Sequence, residues 1–414
     1  VFERLTPQPP DPLLALIGAH HADPRPGKID LGVGVYRDAN GETPVMRAVK
    51  TAERRLLDSQ ASKSYVGPSG DLGFLALIEQ MVFGDAAEGR RVAGQQTPGG
   101  TGALRLAGDL LVRAGARAIW LGRPTWANHD PVLVGAGLPV REYPYFDVTT
   151  QTIDFASMRA ALHRASEGDV VLLQAACHNP TGADLSAAQW DEVASIVAER
   201  RLLPLIDVAY QGLAVGLDED MAGARKVLAA APEAIVAVSM SKNFGLYRER
   251  TGAIFVVAAS LDSHERAQSN LLAVARANYS MPPDHGAAVV RVILEDQALK
   301  RDWLDELAAT RARIVGIRRR LAAFGQAAGI DLASFAHQHG MFSILGLSGD
   351  CIDRLRTEQA IYMTGFGRIN LAGLADKDIE RFVSSLGAVV GRRPDPVQQG
   401  VGRLAAQASF ARGR

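Results

Sequence analysis

Lys242 stands just past EAIVAVS (residues 233–239), an apolar run that reads as a buried strand, and Arg248 and Arg250 follow within eight residues. An ammonium and two guanidiniums at the rim of a core need a chemical reason, because burying a charge without a partner is costly. A lysine beside a buried cleft has its pKa lowered, and its neutral amine can then attack a carbonyl carbon. Other strand ends are polar in complementary ways. TPGGTGALR (97–105) is a glycine-rich turn opening a helix, and its N–H groups and helix dipole suit a phosphate dianion. In ACHNPTG (176–182), Asn179 precedes a proline, is held extended and leaves its amide free to point into a crevice. Asp207 ends LLPLID, with Tyr210 just after it, and a carboxylate closing a buried strand calls for a cation or donors.

Each feature alone has a plainer reading: a lysine snorkelling off a strand end, a turn before a proline, an N-cap carboxylate. Their joint placement is what matters, since ligands of open α/β sheets collect beyond the carboxyl ends of the strands. A phosphate cradle, a buried acid, an Asn/Tyr pair and a lysine suit pyridoxal phosphate, which carries a phosphate, a pyridine nitrogen, a phenolic oxygen and an aldehyde.

Positioning these groups requires a sheet. RAIWLG, LPVREYPYF, DVVLLQAA, LLPLID, EAIVAVS and TGAIFVVAA alternate with the helix-like TGALRLAGDLLVRAG, DFASMRAALHRAS, SAAQWDEVASIVAERR and EDMAGARKVLAAA. Continuous apolar strands between amphipathic helices predict an α/β fold with a mostly parallel sheet covered on both faces. Upstream, Val49, Ala52, Leu56 and Leu57 fit one helix face. The stretch 297–325 reads as one long helix, with Leu299, Trp303, Leu307, Ile314 and Leu321 on a single face, able to carry the chain into a second, smaller domain.

The 414 residues hold 45 Lys+Arg and 45 Asp+Glu, so the chain lacks the basic surplus of a nucleic-acid or polybasic membrane binder. Cys177 and Cys351 show no metal-type spacing, which predicts no metal site and a reducing compartment. VFERLTPQPPDPLLALIGAHH has too short an apolar run for a signal peptide or a membrane span, so a cytoplasmic location is expected.

SKNFGLYRERTG, CHNPTG, DVAYQG, TPGGTGALR, PTWANH, LGVGVYRD and GRINLAG, in the order and spacing in which they stand along the chain, resemble the class I aspartate/aromatic aminotransferases over about residues 11–390. The resemblance implies a fold-type I pyridoxal-phosphate homodimer with active sites shared between subunits. It implies an arm at 1–12, a small α/β domain from 13–45 and 310–392, a large cofactor domain at 46–309 and a flexible tail at 393–414. Lys242 corresponds to the Schiff-base lysine and proton carrier, Asp207 to the partner of the ring nitrogen, Asn179 and Tyr210 to the partners of the phenolic oxygen, and Trp126 to the ring stacked on the cofactor. Gly100, Thr101, Ser239, Ser241 and Arg250 correspond to phosphate ligands, joined by Tyr65 from the other subunit. Arg368 corresponds to the arginine gripping the α-carboxylate, Arg276 of the other subunit to the one meeting a distal carboxylate, and Gly34 to the loop that closes over substrate.

Three positions depart from the family pattern. Gln174 stands where many relatives place a histidine behind the aspartate, Met281 where a polar or aromatic residue is frequent, and Phe366 where a small one is usual. The first predicts altered tuning of the same chemistry; the others bear on substrate range. Arg276 predicts transamination of aspartate with 2-oxoglutarate, since a guanidinium is expensive to leave unpaired in a closed pocket. The alternative is an aromatic aminotransferase with dual specificity, favoured by the apolar Met281 and Phe366. A nicotinamide oxidoreductase is the rival enzyme class, but LGVGVY lacks the third glycine and a following helix. A non-catalytic binding protein on this fold is the other rival, opposed by the presence of Lys242, Asp207, Arg250 and Arg368 together.

Overall fold

The apolar runs become one sheet in the computed structural model, which describes residues 1–8 and 10–390. Its strands are β1 (Arg91–Pro98), β2 (Ile119–Arg123), β3 (Val140–Pro144), β4 (Val170–Gln174), β5 (Leu203–Val208), β6 (Ala234–Ser239) and β7 (Thr251–Ala258). They lie in the order β1-β7-β6-β5-β4-β2-β3. β2 to β6 pair in parallel, while β7 runs antiparallel to both β6 and β1. Alternate residues serve opposite faces, as the pleat requires: Val170 and Leu172 enter one apolar core, Val171 and Leu173 the other. The helices used below are α1 (Gly99–Arg113), α2 (His129–Gly135), α3 (Leu261–Asn278) and α4 (Gln297–Ala322).

β1 is a strand that the apolar pattern did not reveal. Its buried Gln95 and Gln96 interrupt the hydrophobic signal, yet both are satisfied: Gln95 donates to Pro68 O, and Gln96 donates to Pro283 O (2.7 Å) and accepts from Asp71 N (2.8 Å). Buried amides with partners at both ends tie surrounding loops to the sheet. In the helix Arg47–Ser59, Ala48, Val49 and Ala52 are buried, whereas Leu57, expected on the same face, is 84% exposed.

α4 is capped by Asp296, whose Oδ1 accepts from Ala298 N and Leu299 N (2.8 and 3.0 Å). Its predicted face is buried throughout, but it serves two cores. Leu299, Trp303, Leu307 and Ile314 pack with the sheet, while Ile317 and Leu321 join a separate core of Ile29, Leu31 and residues from 330 to 389. A two-residue parallel pairing of Ile29–Asp30 with Ile361–Tyr362 lies in that second core, and the short antiparallel pair β8 (Phe342–Ile344) and β9 (Arg368–Asn370) joins the two cores: Ile369 packs in the second, Phe342 and Ile344 with the sheet. Near its start α4 also anchors the lysine loop: Trp303 Nε1 donates to Asn243 O (2.8 Å) and its ring stacks on Phe244 at 4.3 Å. Residues 1–8 are exposed and include a short helical turn at Phe2–Arg4, and the predicted tail at 393–414 lies outside the described residues. Among the described residues, no helix is long and apolar enough to cross a membrane.

Candidate active site

The carboxyl ends of β1, β4, β5 and β6 share one edge of the sheet. Because β7 runs the other way, it begins at that edge, with Thr251 opposite Pro98 and Gly252 opposite Ser239. Arg250, the residue before it, is thereby delivered beside the start of α1. A cavity of about 150 Å³ opens here, lined by Thr101, Trp126, Asn179, Asp207, Tyr210 and Lys242, with Gly100, Ser239, Ser241, Arg250 and Gln174 also on its wall.

The anion end is built by close approach. Gly99 has φ +73°, and a Cβ there would lie 2.6 Å from Arg250 Nη2; one on Gly100 would lie 2.9 Å from Ser239 Cβ. Glycine is therefore required for the guanidinium and β6 to reach the helix N-terminus. Arg250 itself adopts φ +52°, a left-handed conformation that costs a non-glycine residue about 1 kcal/mol. Its Nη1 donates only to neutral oxygens, Ser241 Oγ and Tyr247 O, both at 3.2 Å. Ser241 N in turn donates to Ser239 Oγ (3.3 Å). An unneutralised guanidinium, a helix dipole and two hydroxyls converge where a phosphate would sit. Arg248 is exposed.

Asp207 is buried at the end of β5, and its Oδ2 lies 3.0 Å from His129 Nε2. His129, fully buried on the first turn of α2, reaches Thr125 Oγ1 through Nδ1 (2.7 Å) and meets the Trp126 ring edge-on at 5.3 Å. The histidine behind the carboxylate is thus His129, quoted within PTWANH but given no role by sequence. Gln174 does something else: its Nε2 donates to Asn179 O (3.0 Å) and its Oε1 accepts from Asn179 N (2.9 Å), bracing the Asn179 loop.

Lys242 Nζ sits over the Tyr210 ring, 5.1 Å from its centroid. Desolvation lowers the lysine pKa to about 8; Asp207's charge opposes this and Arg250's adds to it. Tyr210 is buried, which raises its hydroxyl pKa, and its oxygen accepts from Asn179 Nδ2 (3.3 Å). Asn179 Oδ1 is buried with no hydrogen-bond partner in the chain, a half-satisfied amide that a bound polar group would complete.

Arg368 opens β9 and hangs over the Phe342 ring at 4.6 Å. Its Nη2 donates to Gly32 O (2.8 Å) and its Nε to Thr364 Oγ1 (3.1 Å), while desolvation lowers its pKa. Asn370 donates to Val33 O (2.6 Å) and Val35 O (2.7 Å), so the loop holding Gly34 is suspended from β9. A Cβ on Gly34 would meet the Phe342 ring at 2.9 Å.

Arg368 and Gly34 do not line this cavity but adjoin it through the Phe342 ring beside Tyr210, and two further candidates are not brought to it within the chain. Tyr65 is 90% exposed, and Arg276 is exposed on the last turn of α3, donating to Ser280 Oγ. Met281 is half-buried near it, and Phe366 is 76% exposed with φ +58°.

The donor set fits pyridoxal phosphate: an anion cradle, a buried carboxylate, an incompletely satisfied Asn/Tyr pair and an amine of lowered pKa face one cavity. The comparisons agree. The family Aminotransferase class I and II matches residues 26–386. The chain is 57% identical to a tyrosine aminotransferase of Rhizobium meliloti, over 90% of this chain and 96% of that one. It is 43% identical to an aspartate aminotransferase of Salmonella typhi, over 94% and 100%. Among solved structures, an aromatic-amino-acid aminotransferase from Burkholderia pseudomallei, covalently bound to pyridoxal phosphate, superposes with a TM-score of 0.90 at 38% identity, covering 94% of this chain and 99% of that one. Such a match gives the fold type I of these enzymes and excludes both the nicotinamide and the non-catalytic readings. The chain belongs to the class I and II aminotransferases, and is a pyridoxal-phosphate-dependent enzyme of their aspartate/aromatic branch.

Proposed function

We propose that this aminotransferase acts chiefly on aromatic amino acids, tyrosine and phenylalanine, passing their amino group to 2-oxoglutarate and accepting aspartate as a secondary donor. The observation carrying the substrate pose is a continuous wall. Lys242 lies over Tyr210, the Tyr210 ring meets Phe342 edge-on at 6.2 Å, and Phe342 lies under Arg368. An α-carboxylate paired to Arg368 leaves its α-carbon on the lysine side of that wall. Pyridoxal phosphate, when bound, supplies an electron-withdrawing ring that takes up negative charge from the α-carbon.

The chain's residues then divide the work. Arg250, Ser239, Ser241 and the α1 N-terminus at Gly100 and Thr101 bind the phosphate. Asp207, oriented by His129, would keep a proton on the ring nitrogen of the bound cofactor. Asn179 and Tyr210 would hold its phenolic oxygen, and Trp126 would stand against its ring. Lys242 removes the α-proton; desolvation lowers its pKa to about 8, so a fraction of it is free amine at working pH and able to act as a general base. Arg368 orients the substrate, and the Gly34 loop excludes water above it.

Arg276 by itself points to aspartate as the first donor. The relatives favour the other order, since a 57% and a 46% identical protein, the latter from Paracoccus denitrificans, are named for tyrosine and for aromatic amino acids. Arg276 also supports dual use: exposed and bonded to one serine hydroxyl, it can swing aside at little cost. A panel of kcat/KM values is expected to place tyrosine and phenylalanine above aspartate by about tenfold, the scale of one lost or gained pocket contact. Aspartate ranking first would restore the dicarboxylate reading.

The same reading makes the protein a homodimer in which Tyr65 and Arg276 enter the partner's site. Exposed Leu57, Tyr65, Val66 and Leu72 support an apolar contact in that region. Sedimentation equilibrium is expected to give the mass of two chains; a fully active single chain would count against shared sites.

A further inference from the structure

Arg318 on α4 is 2% exposed, yet all its hydrogen bonds go to uncharged oxygens. All of them belong to one segment, 338–343. Nε and Nη2 donate to Gly340 O (3.0 and 2.8 Å), Nη2 also to His339 O (2.8 Å) and Phe342 O (2.5 Å), and Nη1 to Ser343 Oγ (2.9 Å) and Gln338 Oε1 (3.4 Å). Burial lowers its pKa to about 10. An apolar side chain would fill this space without the desolvation penalty, so the arginine needs a reason beyond stability. Its rigid planar fork fixes several acceptors at once, which a lysine or an apolar residue cannot do.

The clamped segment presses on the loop that carries Asn179. His339 N donates to Gly182 O (2.7 Å). A Cβ on Gly182 would lie 2.5 Å from Phe342 O and 2.8 Å from Arg318 Nη2, and one on Gly340 would lie 2.3 Å from Cys177 Cβ. The two glycines let the loops touch backbone to backbone, with the guanidinium closing the joint. Phe342, held by its own carbonyl in that joint, carries its ring between Tyr210 and Arg368.

We propose that Arg318 is a positioning residue for the amino-acid substrate: by clamping residues 338–343 against the Asn179 loop, it sets the Phe342 ring and, through it, the Arg368 guanidinium that receives the α-carboxylate. The proposal rests on the reading of Arg368 given above. Arg318 touches neither cofactor nor substrate, so its effect falls on substrate binding and spares the cofactor.

The test uses the holoenzyme with tyrosine as donor and 3-phenylpropionate as a non-reacting carboxylate probe. Arg318→Met is expected to raise KM and the probe's Kd by about tenfold, with kcat within about threefold and full cofactor content by absorbance. Arg318→Lys, retaining a donor, is expected to recover part of that loss. Phe342→Leu should raise KM similarly, and the double variant should be no worse than about the larger single effect, because both act through one ring. Should Arg318→Met not fold, Arg318→Lys carries the test with a shift of about threefold against the same criteria. Unchanged KM and Kd, effects that multiply in the double variant, or equal losses in kcat and cofactor content would overturn the proposal. Arg368→Lys separates the two ideas. If it raises KM while the Arg318 variants do not, the positioning role fails alone; if it leaves KM unchanged, the carboxylate reading fails.

Discussion

Lys242→Ala is expected to lower kcat by on the order of 10⁴-fold or more, with the fold and phosphate cradle retained. The substitution removes the one amine that overlies Tyr210 in the cavity. Nothing beside it can replace that amine: Tyr210, its buried neighbour, has a hydroxyl pKa raised by burial, and Arg250 cannot act as a base at working pH. The change also removes a half-buried cation without leaving a new unpaired charge, so no large loss of stability is expected from it. The lysine's titration gives an independent check. In the cofactor-free protein, acylation of Lys242 followed by peptide mass spectrometry should be half-maximal near pH 8, because desolvation disfavours the ammonium form. Below that pH the amine is protonated and unreactive; exposed lysines should lag until about pH 10.4. A Lys242 that titrates with the exposed lysines would remove the basis for its role.

Asp207→Asn is expected to lower kcat by about 10³-fold, the scale seen when one preorganised electrostatic partner is lost. Asparagine preserves the shape and can still meet His129, which lies 3.0 Å from the carboxylate, so the change isolates charge from geometry. Without the negative charge, nothing at the β5 end would hold a proton on the ring nitrogen of a cofactor bound as proposed. A second effect has a definite sign. Asp207's charge raises the pKa of Lys242, so its removal should move the lysine titration below its present value of about 8. Retention of kcat within about threefold would show that the carboxylate has no such role.

Much of this site was legible because its residues close long apolar runs. EAIVAVS and LLPLID announce β6 and β5, and the polar residues directly after or at their ends, Lys242 and Asp207, are the ones that face the cavity. Direction was not legible. β7 is buried at every position, so its run carries no sign of being antiparallel, yet that reversal is what brings Arg250 to the α1 N-terminus. β1 was hidden by Gln95 and Gln96, whose partners lie in distant loops. The role of His129 does not show in the sequence because its partner Asp207 is 78 residues away. Arg318 opens the run Arg318–Arg319–Arg320, which reads as a solvated charged face, and only the helix phase distinguishes the buried member from its neighbours. Tyr65 and Arg276 are the remaining case, since a single chain leaves both exposed.

We propose that Lys242, in the cavity with Asp207 and with Arg368 beyond Phe342, carries amino transfer from an aromatic amino acid. A single-turnover experiment addresses it directly: the holoenzyme is mixed with L-tyrosine and no oxo-acid acceptor, and released 4-hydroxyphenylpyruvate is counted. About one equivalent per chain is expected from the wild type, with no free ammonia and no detectable burst from Lys242→Ala on the same timescale. A full burst from Lys242→Ala, or no burst from the wild type, would contradict it.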